Sequence, residues 1–207
     1  MPHARIGYDL IIASIPEGSR ILDLGCGDGI LMERLTDEKR ASCFGVEISE
    51  DGVSKCVEKG LYCYQGDIDE GLADYRDNSY DFVILNQTLQ NTKRPDNVLT
   101  QIMRICRNAI ISFPNYGYIK TRVQLLVTGK MPKNDLIPFD WYESPDIHHL
   151  TIKDFGAFCR GKKYPVKKIS HFNLSADGKS SAVKIMPNLF AQYGFFILDG
   201  EKYTDRQ

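Results

Sequence analysis

Cysteine pairs at metal-ligand or redox spacing are missing from this chain: its six cysteines (26, 43, 56, 63, 106 and 159) form no C-x-x-C. Without such spacing neither a zinc site nor a disulfide framework is expected, and the thiols read as small buried apolar residues of a reducing, cytoplasmic compartment. No metal ligand is assigned. No apolar run reaches membrane-spanning length. Ile6 to Ile15, interrupted by Asp9, is too short for a signal peptide. Charge of one sign is lacking too, with 26 basic against 27 acidic residues and a net charge of −1. That balance argues against a nucleic-acid footprint, and neither repeats nor low-complexity tracts suggest an array. What remains is 207 residues, 43% hydrophobic, the size of one domain spanning 1–207.

The chain is organised around Ile21-Leu22-Asp23-Leu24-Gly25-Cys26-Gly27-Asp28-Gly29-Ile30. Residues of buried-strand character run into three alternate glycines, and a helical pattern begins at Ile30 with Leu31, Met32 and Leu35. Strand, glycine-rich turn and helix form the opening of a nucleotide-binding βαβ unit, where backbone N–H groups and a helix N-terminus face the ligand. The spacing selects the ligand. A dinucleotide fingerprint needs a small residue where Ile30 stands, which disfavours a nicotinamide oxidoreductase. The pattern D-x-G-x-G-x-G resembles instead the first motif of class I S-adenosylmethionine (SAM) methyltransferases.

Read in order, residues 4 to 15 carry a rough helical stripe, and strands follow at Ser42–Glu47, Leu61–Gln65, Tyr80–Leu85 and Ala109–Phe113. Ser49 is placed to cap a helix to Lys59, and Pro95 to open one through Ile105. This alternation predicts an α/β, doubly wound, mostly parallel sheet. After the fifth strand the period breaks, and residues 116 to 150 form an insertion or lid with a possible helix from Tyr118 to Val127. Thr151 and Asp154 approximate a capping box for a helix ending near Gly161. Val166–Leu174 and Gly194–Leu198 complete seven strands, with the polar stretch Ser175–Ser181 between them as a loop. In the methyltransferase order the last strand inserts antiparallel.

Ligands of such sheets sit at the carboxyl ends of the strands. Glu47, 22 residues after Gly25, ends the second strand, where a carboxylate accepts from both ribose hydroxyls. It is expected to face the cleft, so its loss should cost little stability without ligand. Asp67 ends the third strand, suited to an adenine amine with Ile48 or Ile68 against the ring, and Asp23 is suited to the methionine ammonium. The expected cofactor contacts are therefore Asp23, Gly25, Gly27, Gly29, Glu47, Ile48, Asp67, Ile68 and Asn86. The plainer alternatives are a solvated strand-end acid for Glu47 and a helix N-cap for Asp67.

Further motifs support a family. The chain resembles the MetW family of methionine-biosynthesis proteins through the glycine turn, Gly45-Val46-Glu47-Ile48, Gln65-Gly66-Asp67-Ile68-Asp69-Glu70-Gly71-Leu72 and Gln87-Thr88-Leu89-Gln90. The resemblance continues through Arg94-Pro95-Asp96, Ser112-Phe113-Pro114-Asn115, Gly129-Lys130-Met131-Pro132, Trp141-Tyr142 and Pro145-Asp146-Ile147-His148. It implies a SAM-methyltransferase-like fold, SAM or S-adenosylhomocysteine as ligand, and a homoserine O-acyltransferase as partner in methionine synthesis. The alternative is an active methyltransferase on a small acceptor.

Methyl transfer is an in-line displacement in which positioning supplies most of the rate, so a general base is optional. Asn86-Gln87-Thr88-Leu89 lacks the prolines of a D/N-P-P-Y/F motif, which disfavours methylation of base or glutamine amines. Weak catalytic candidates are Asn86, Gln87, Tyr142 and His148. Gln90, Asn115, Tyr116 and His149 lie in the same segments. The His148-His149 pair reads as a base, a metal pair or a packed segment ahead of a helix.

Overall fold

The computed structural model describes residues 7–175 and 179–205. Residues 4–6 of the first predicted helix, Ile6 included, and 176–178 of the predicted polar loop lie outside this range. The strands are β1 (Arg20–Leu24), β2 (Ser42–Glu47), β3 (Tyr62–Gln65), β4 (Tyr80–Asn86), β5 (Cys106–Pro114), β6 (Val166–Leu174), β7 (Ser180–Ala182) and β8 (Tyr193–Asp199). The helices are α1 (Tyr8–Ser14), α2 (Ile30–Lys39), α3 (Glu50–Glu58), α4 (Pro95–Ile105), α5 (Ile119–Thr128), α6 (Ile152–Gly161), α7 (Pro187–Phe190) and α8 (Gly200–Thr204).

One sheet runs in the order β3-β2-β1-β4-β5-β8-β6-β7. The first five strands pair in parallel, while β8 lies antiparallel to both β5 and β6. The expected antiparallel insertion is present, and the order reverses between β1 and β4. The sheet has eight strands among the described residues rather than seven. The extra one, Ser180–Ala182, is an exposed edge pairing only with β6. Three small or polar residues carry no apolar alternation, so the sequence reads them as loop.

Side-chain alternation builds two cores, one on each face. Leu22 and Leu24 of β1, Ile111 and Phe113 of β5, and Val98, Leu99, Ile102 and Met103 of α4 form one core with Phe155 of α6. Ile21 and Ile110 point to the other face, against Ile11 and Ile12 of α1 and Leu31, Met32 and Leu35 of α2. The predicted caps are formed. Ser49 Oγ accepts from the Gly52 N–H at 3.4 Å, and Thr151 with Asp154 makes a reciprocal capping box.

Candidate functional site

The carboxyl ends of β1, β2 and β4 surround the glycine-rich turn, and the segment after β3 closes the side. The turn is anchored to β2, because Gly25 N–H and Cys26 N–H both donate to the Val46 carbonyl, at 2.8 and 3.2 Å. Gly25 has φ +76°, and a Cβ there would come within 2.7 Å of the Thr88 side chain. Backbone sign and steric room both demand glycine at that position. Gly27, at φ +58°, has nothing within 4 Å of where its Cβ would be, so its outer side faces open space.

A cleft of about 420 Å³ lies over this turn. Eight of the nine expected cofactor contacts line it: Asp23, Gly25, Gly27, Glu47, Ile48, Asp67, Ile68 and Asn86. Gly29 does not. It is the left-handed N-cap of α2, packed against Leu61 and Cys56, and acts by shaping the turn. Ile48 remains 65% exposed at the rim, an apolar surface facing the cleft without covering. Tyr8, Cys26, Leu31, Asp69, Thr88, Asn91 and Thr92 also line the cleft, although the sequence pattern gives none of them a ligand contact.

The acids differ in their surroundings. Asp23 is buried under the turn, and desolvation, then the nearby Glu47 charge, pushes its pKa from 3.8 up to about 7. Glu47 is held by backbone: its Oε2 accepts from the Gly27 N–H and its Oε1 from the Ser49 N–H, both at 2.9 Å. Each bond is charge-assisted, so the carboxylate ties the turn to the start of α3. The carboxylate lines the cleft as expected but also holds backbone, so a loss of stability without ligand replaces the expectation that its removal costs little. Asp67 Oδ1 accepts from Asp69 N–H at 2.9 Å and Oδ2 from Lys93 Nζ at 3.1 Å, and these contacts, the backbone bond first, lower its pKa. Its backbone carbonyl also receives the Glu70 and Gly71 N–H groups, so Asp67 organises a turn as well as edging the cleft.

Asn86 ends β4 and Gln87 follows it, both around Ser112. Asn86 Oδ1 accepts from Ser112 Oγ, and Gln87 Nε2 donates to Ser112 Oγ at 3.0 Å. Gln87 adopts φ +57°, a strained conformation for a side-chain-bearing residue, at the lip of the cleft. The other two catalytic candidates lie elsewhere. Tyr142 is 68% exposed and stacks edge-on with Trp141, while His148 reaches the Lys93 carbonyl at 3.5 Å and borders a separate hollow with His149. Both follow the insertion, whose path no periodicity fixed. His149 packs edge-on against Tyr116, whose hydroxyl donates to Asp146. Asn115 is structural: its amide donates to the Asn188 and Ala191 carbonyls, and its oxygen accepts from Gly117 and Ile152 N–H. Gln90 holds the insertion through its carbonyl, which accepts from Ile147 and His148 N–H at 2.8 and 2.9 Å.

Beneath the turn, Cys26, Cys56 and Cys63 point their sulfurs toward one another. Burial pushes the Cys56 thiol up to about 12 and raises Cys26 as well.

A doubly wound sheet with this strand order, an antiparallel β8 and a glycine turn above three strand-end acids defines the class I SAM-dependent methyltransferase fold. A SAM-dependent methyltransferase of Archaeoglobus fulgidus shares it with a TM-score of 0.63 at 17% identity, over 93% of this chain and 94% of that one. Residues 5–198 match the family described as methionine biosynthesis protein MetW, and the chain belongs to that family. A protein of Rhodopirellula baltica, described as a bifunctional methionine biosynthesis protein MetXA/MetW, is 35% identical over 158 residues, or 72% of this chain. A ubiquinone biosynthesis O-methyltransferase of Methylococcus capsulatus is 33% identical over 95 residues, 44% of this chain. The chain spans 25% and 40% of the lengths of these two relatives. No helix among the described residues is long and apolar enough to cross a membrane.

Proposed function

We propose that this MetW-family chain binds SAM in the cleft and supports a homoserine O-acyltransferase by association. The observation that carries the ligand half is the coincidence of three acids with three strand ends around an open glycine turn. Asp23 faces the ammonium, Glu47 the ribose hydroxyls through lone pairs left free by its backbone bonds, and Asp67 the adenine amine, with Ile48 and Ile68 against the ring. Carboxylates carry enough acceptor sites to serve both the fold and a ligand.

The partner half draws on the insertion and on the relative that joins MetXA and MetW in one name. Leu126, Val127 and Trp141 are 84%, 76% and 76% exposed. Gln124 of α5 donates to the Lys133 carbonyl and receives from Asn134, joining α5 to the loop that leads to Trp141. Aromatic residues are enriched at interface centres, where a few buried anchors carry most of the energy. Trp141→Ala should weaken acyltransferase binding by about 2 kcal/mol and Leu126→Ala by less, seen as lost co-elution, with SAM affinity unchanged. Tyr118 is a poor probe, since it packs against the core at the start of α5. An unaltered complex in both variants would remove the insertion from the interface.

One observation favours a second reading, methyl transfer to a small acceptor. A hollow of about 180 Å³ adjoins the cleft through Gln87 and Asn91, bordered by Asp146, Phe139 and Tyr193. Gln90 Oε1 is buried beside it without a hydrogen-bond partner among the described residues. Turnover of SAM against a metabolite extract, with no complex formed by the parent chain, would favour this reading over association.

A further inference from the structure

Three of the six cysteines converge below the glycine turn, although Cys56 and Cys63 lie 30 and 37 positions from Cys26 in the chain. Cys26 sits within the turn, Cys56 on the buried face of α3, and Cys63 in the edge strand β3. Cys26 Sγ is 3.5 Å from Cys63 Sγ and 3.9 Å from Cys56 Sγ, and all three sulfurs fall within 4.8 Å of one another. Sulfurs bound at about 2.3 Å to one zinc-type ion stand roughly 3.8 Å apart in tetrahedral geometry and about 4.0 Å apart in trigonal geometry. The two shorter separations here, 3.5 and 3.9 Å, fall on either side of the tetrahedral value and below the trigonal one. Thiols that merely fill space need not aim at one point. Cys43, Cys106 and Cys159 are buried without another thiol in hydrogen-bonding reach among the described residues.

We infer that Cys26, Cys56 and Cys63 form a binding site for one soft, thiophilic divalent cation of the zinc class. An all-sulfur donor set selects zinc and cadmium over magnesium, calcium or manganese, which prefer oxygen. Each thiol releases its proton to water as its sulfur bonds the ion, so three protons leave and no electron moves. The described residues add no histidine or carboxylate to the group, so the site has three protein ligands and an open fourth position. The Gly27 carbonyl, which accepts from Cys56 Sγ at 3.5 Å, stands beside it. Cys63 is only partly buried, and its place on the sheet edge offers the entry path.

Occupancy has a mechanical consequence. Cys26 neighbours Gly25 and Gly27, Cys56 belongs to the helix begun by Ser49, and Cys63 leads through β3 to Asp67. One ion would therefore clamp the turn, α3 and β3 together, the three pieces that carry the glycines, Glu47 and Asp67 to the cleft. The site itself requires nothing of the cleft's ligand, and its test is independent of SAM.

The test is a titration of the reduced, chelator-treated full chain with Cd²⁺ under anaerobic conditions, followed by Zn²⁺ as competitor. Thiolate-to-cadmium charge-transfer absorption should grow to one equivalent, collapse as zinc displaces cadmium, and accompany a rise in melting temperature with either ion. Loss of an outer-shell partner alone costs about 10–100-fold in metal affinity, so Cys63→Ser should weaken cadmium binding at least about tenfold. Cys63 is the least buried of the three, and Cys63→Ala serves as a second variant, with Cys43→Ala as a control that keeps the full signal. No charge-transfer band at one equivalent, or an equal band in Cys63→Ala, would overturn the assignment. A chain whose thiol count drops by two in air and returns with reductant, with no metal response, would replace it with a disulfide.

Discussion

At pH 8, Asp23→Asn is expected to be more stable than the parent chain by on the order of 2–4 kcal/mol, although it removes a charge from the centre of the cleft. Asp23 is buried, and its folded pKa stands near 7 against 3.8 when exposed. Well below pH 3.8 the carboxyl is protonated whether the chain is folded or not, and the full stability is present. Between pH 4 and 7 the unfolded chain loses this proton first, so the folded state holds more protons and stability falls as pH rises. Above 7 the whole cost is felt, because a charged carboxylate then sits desolvated beside Glu47. Asparagine keeps the shape without the charge. The stability gap between the two proteins in urea unfolding should be smallest at the acid end, widen as pH rises from about 4 to 7, and level off above 7. Parallel pH profiles would show that Asp23 is solvated in the folded state.

The same substitution should damage binding. A ligand ammonium beside Asp23 favours the ionised form, so SAM affinity in the parent should rise with pH up to about 7 and level off above it. In Asp23→Asn it should be weaker and flat with pH. On this reading the buried acid costs stability in the empty protein and would supply attraction to a bound ammonium, a trade common at binding sites.

Glu47→Ala carries the second large effect. Removing the carboxylate leaves the Gly27 and Ser49 N–H groups without their acceptor, and each was bonded at 2.9 Å to a charged oxygen. Unliganded stability should fall by about 2–3 kcal/mol, discounted for the partial exposure of the site. SAM affinity should fall by a further 1.5–3 kcal/mol or so. Glu47→Gln keeps one acceptor oxygen and should recover part of the stability but less of the affinity, because the charge is lost. Unchanged denaturation midpoints in Glu47→Ala would mean that water replaces the carboxylate at both N–H groups. Equal calorimetric affinity would return Glu47 to the role of a scaffold acid only.

Much of this site was legible in the sequence because a parallel sheet converts spacing into position. Once Leu24 ends β1, the pairing of Leu24 with Val46 and of Glu47 with Gln65 brings the strand ends, and so their acids, to one edge. Glu47 and Asp67 follow from that register without any knowledge of the loops. What Glu47 holds in the empty protein was not legible, since its partners are backbone N–H groups shaped by the turn. Tyr142 and His148 were placed near the chemistry by chain order alone, and the insertion takes them elsewhere. The convergence of Cys26, Cys56 and Cys63 depends on β1, β2 and β3 stacking side by side with α3 folded back on them. No short motif encodes that. The edge strand β7 escaped for the opposite reason, having too few apolar residues to leave a pattern.

A thermal scan with and without SAM tests most directly whether the cleft is a SAM site. At about 100 times the dissociation constant, SAM should stabilise the fold by about 2.7 kcal/mol. For a chain of this size that is a rise of roughly 5–10 °C. NAD at the same concentration should do little, since Ile30 stands where a dinucleotide turn requires a small residue. A shift below one degree with SAM, or a larger one with NAD, would contradict the account.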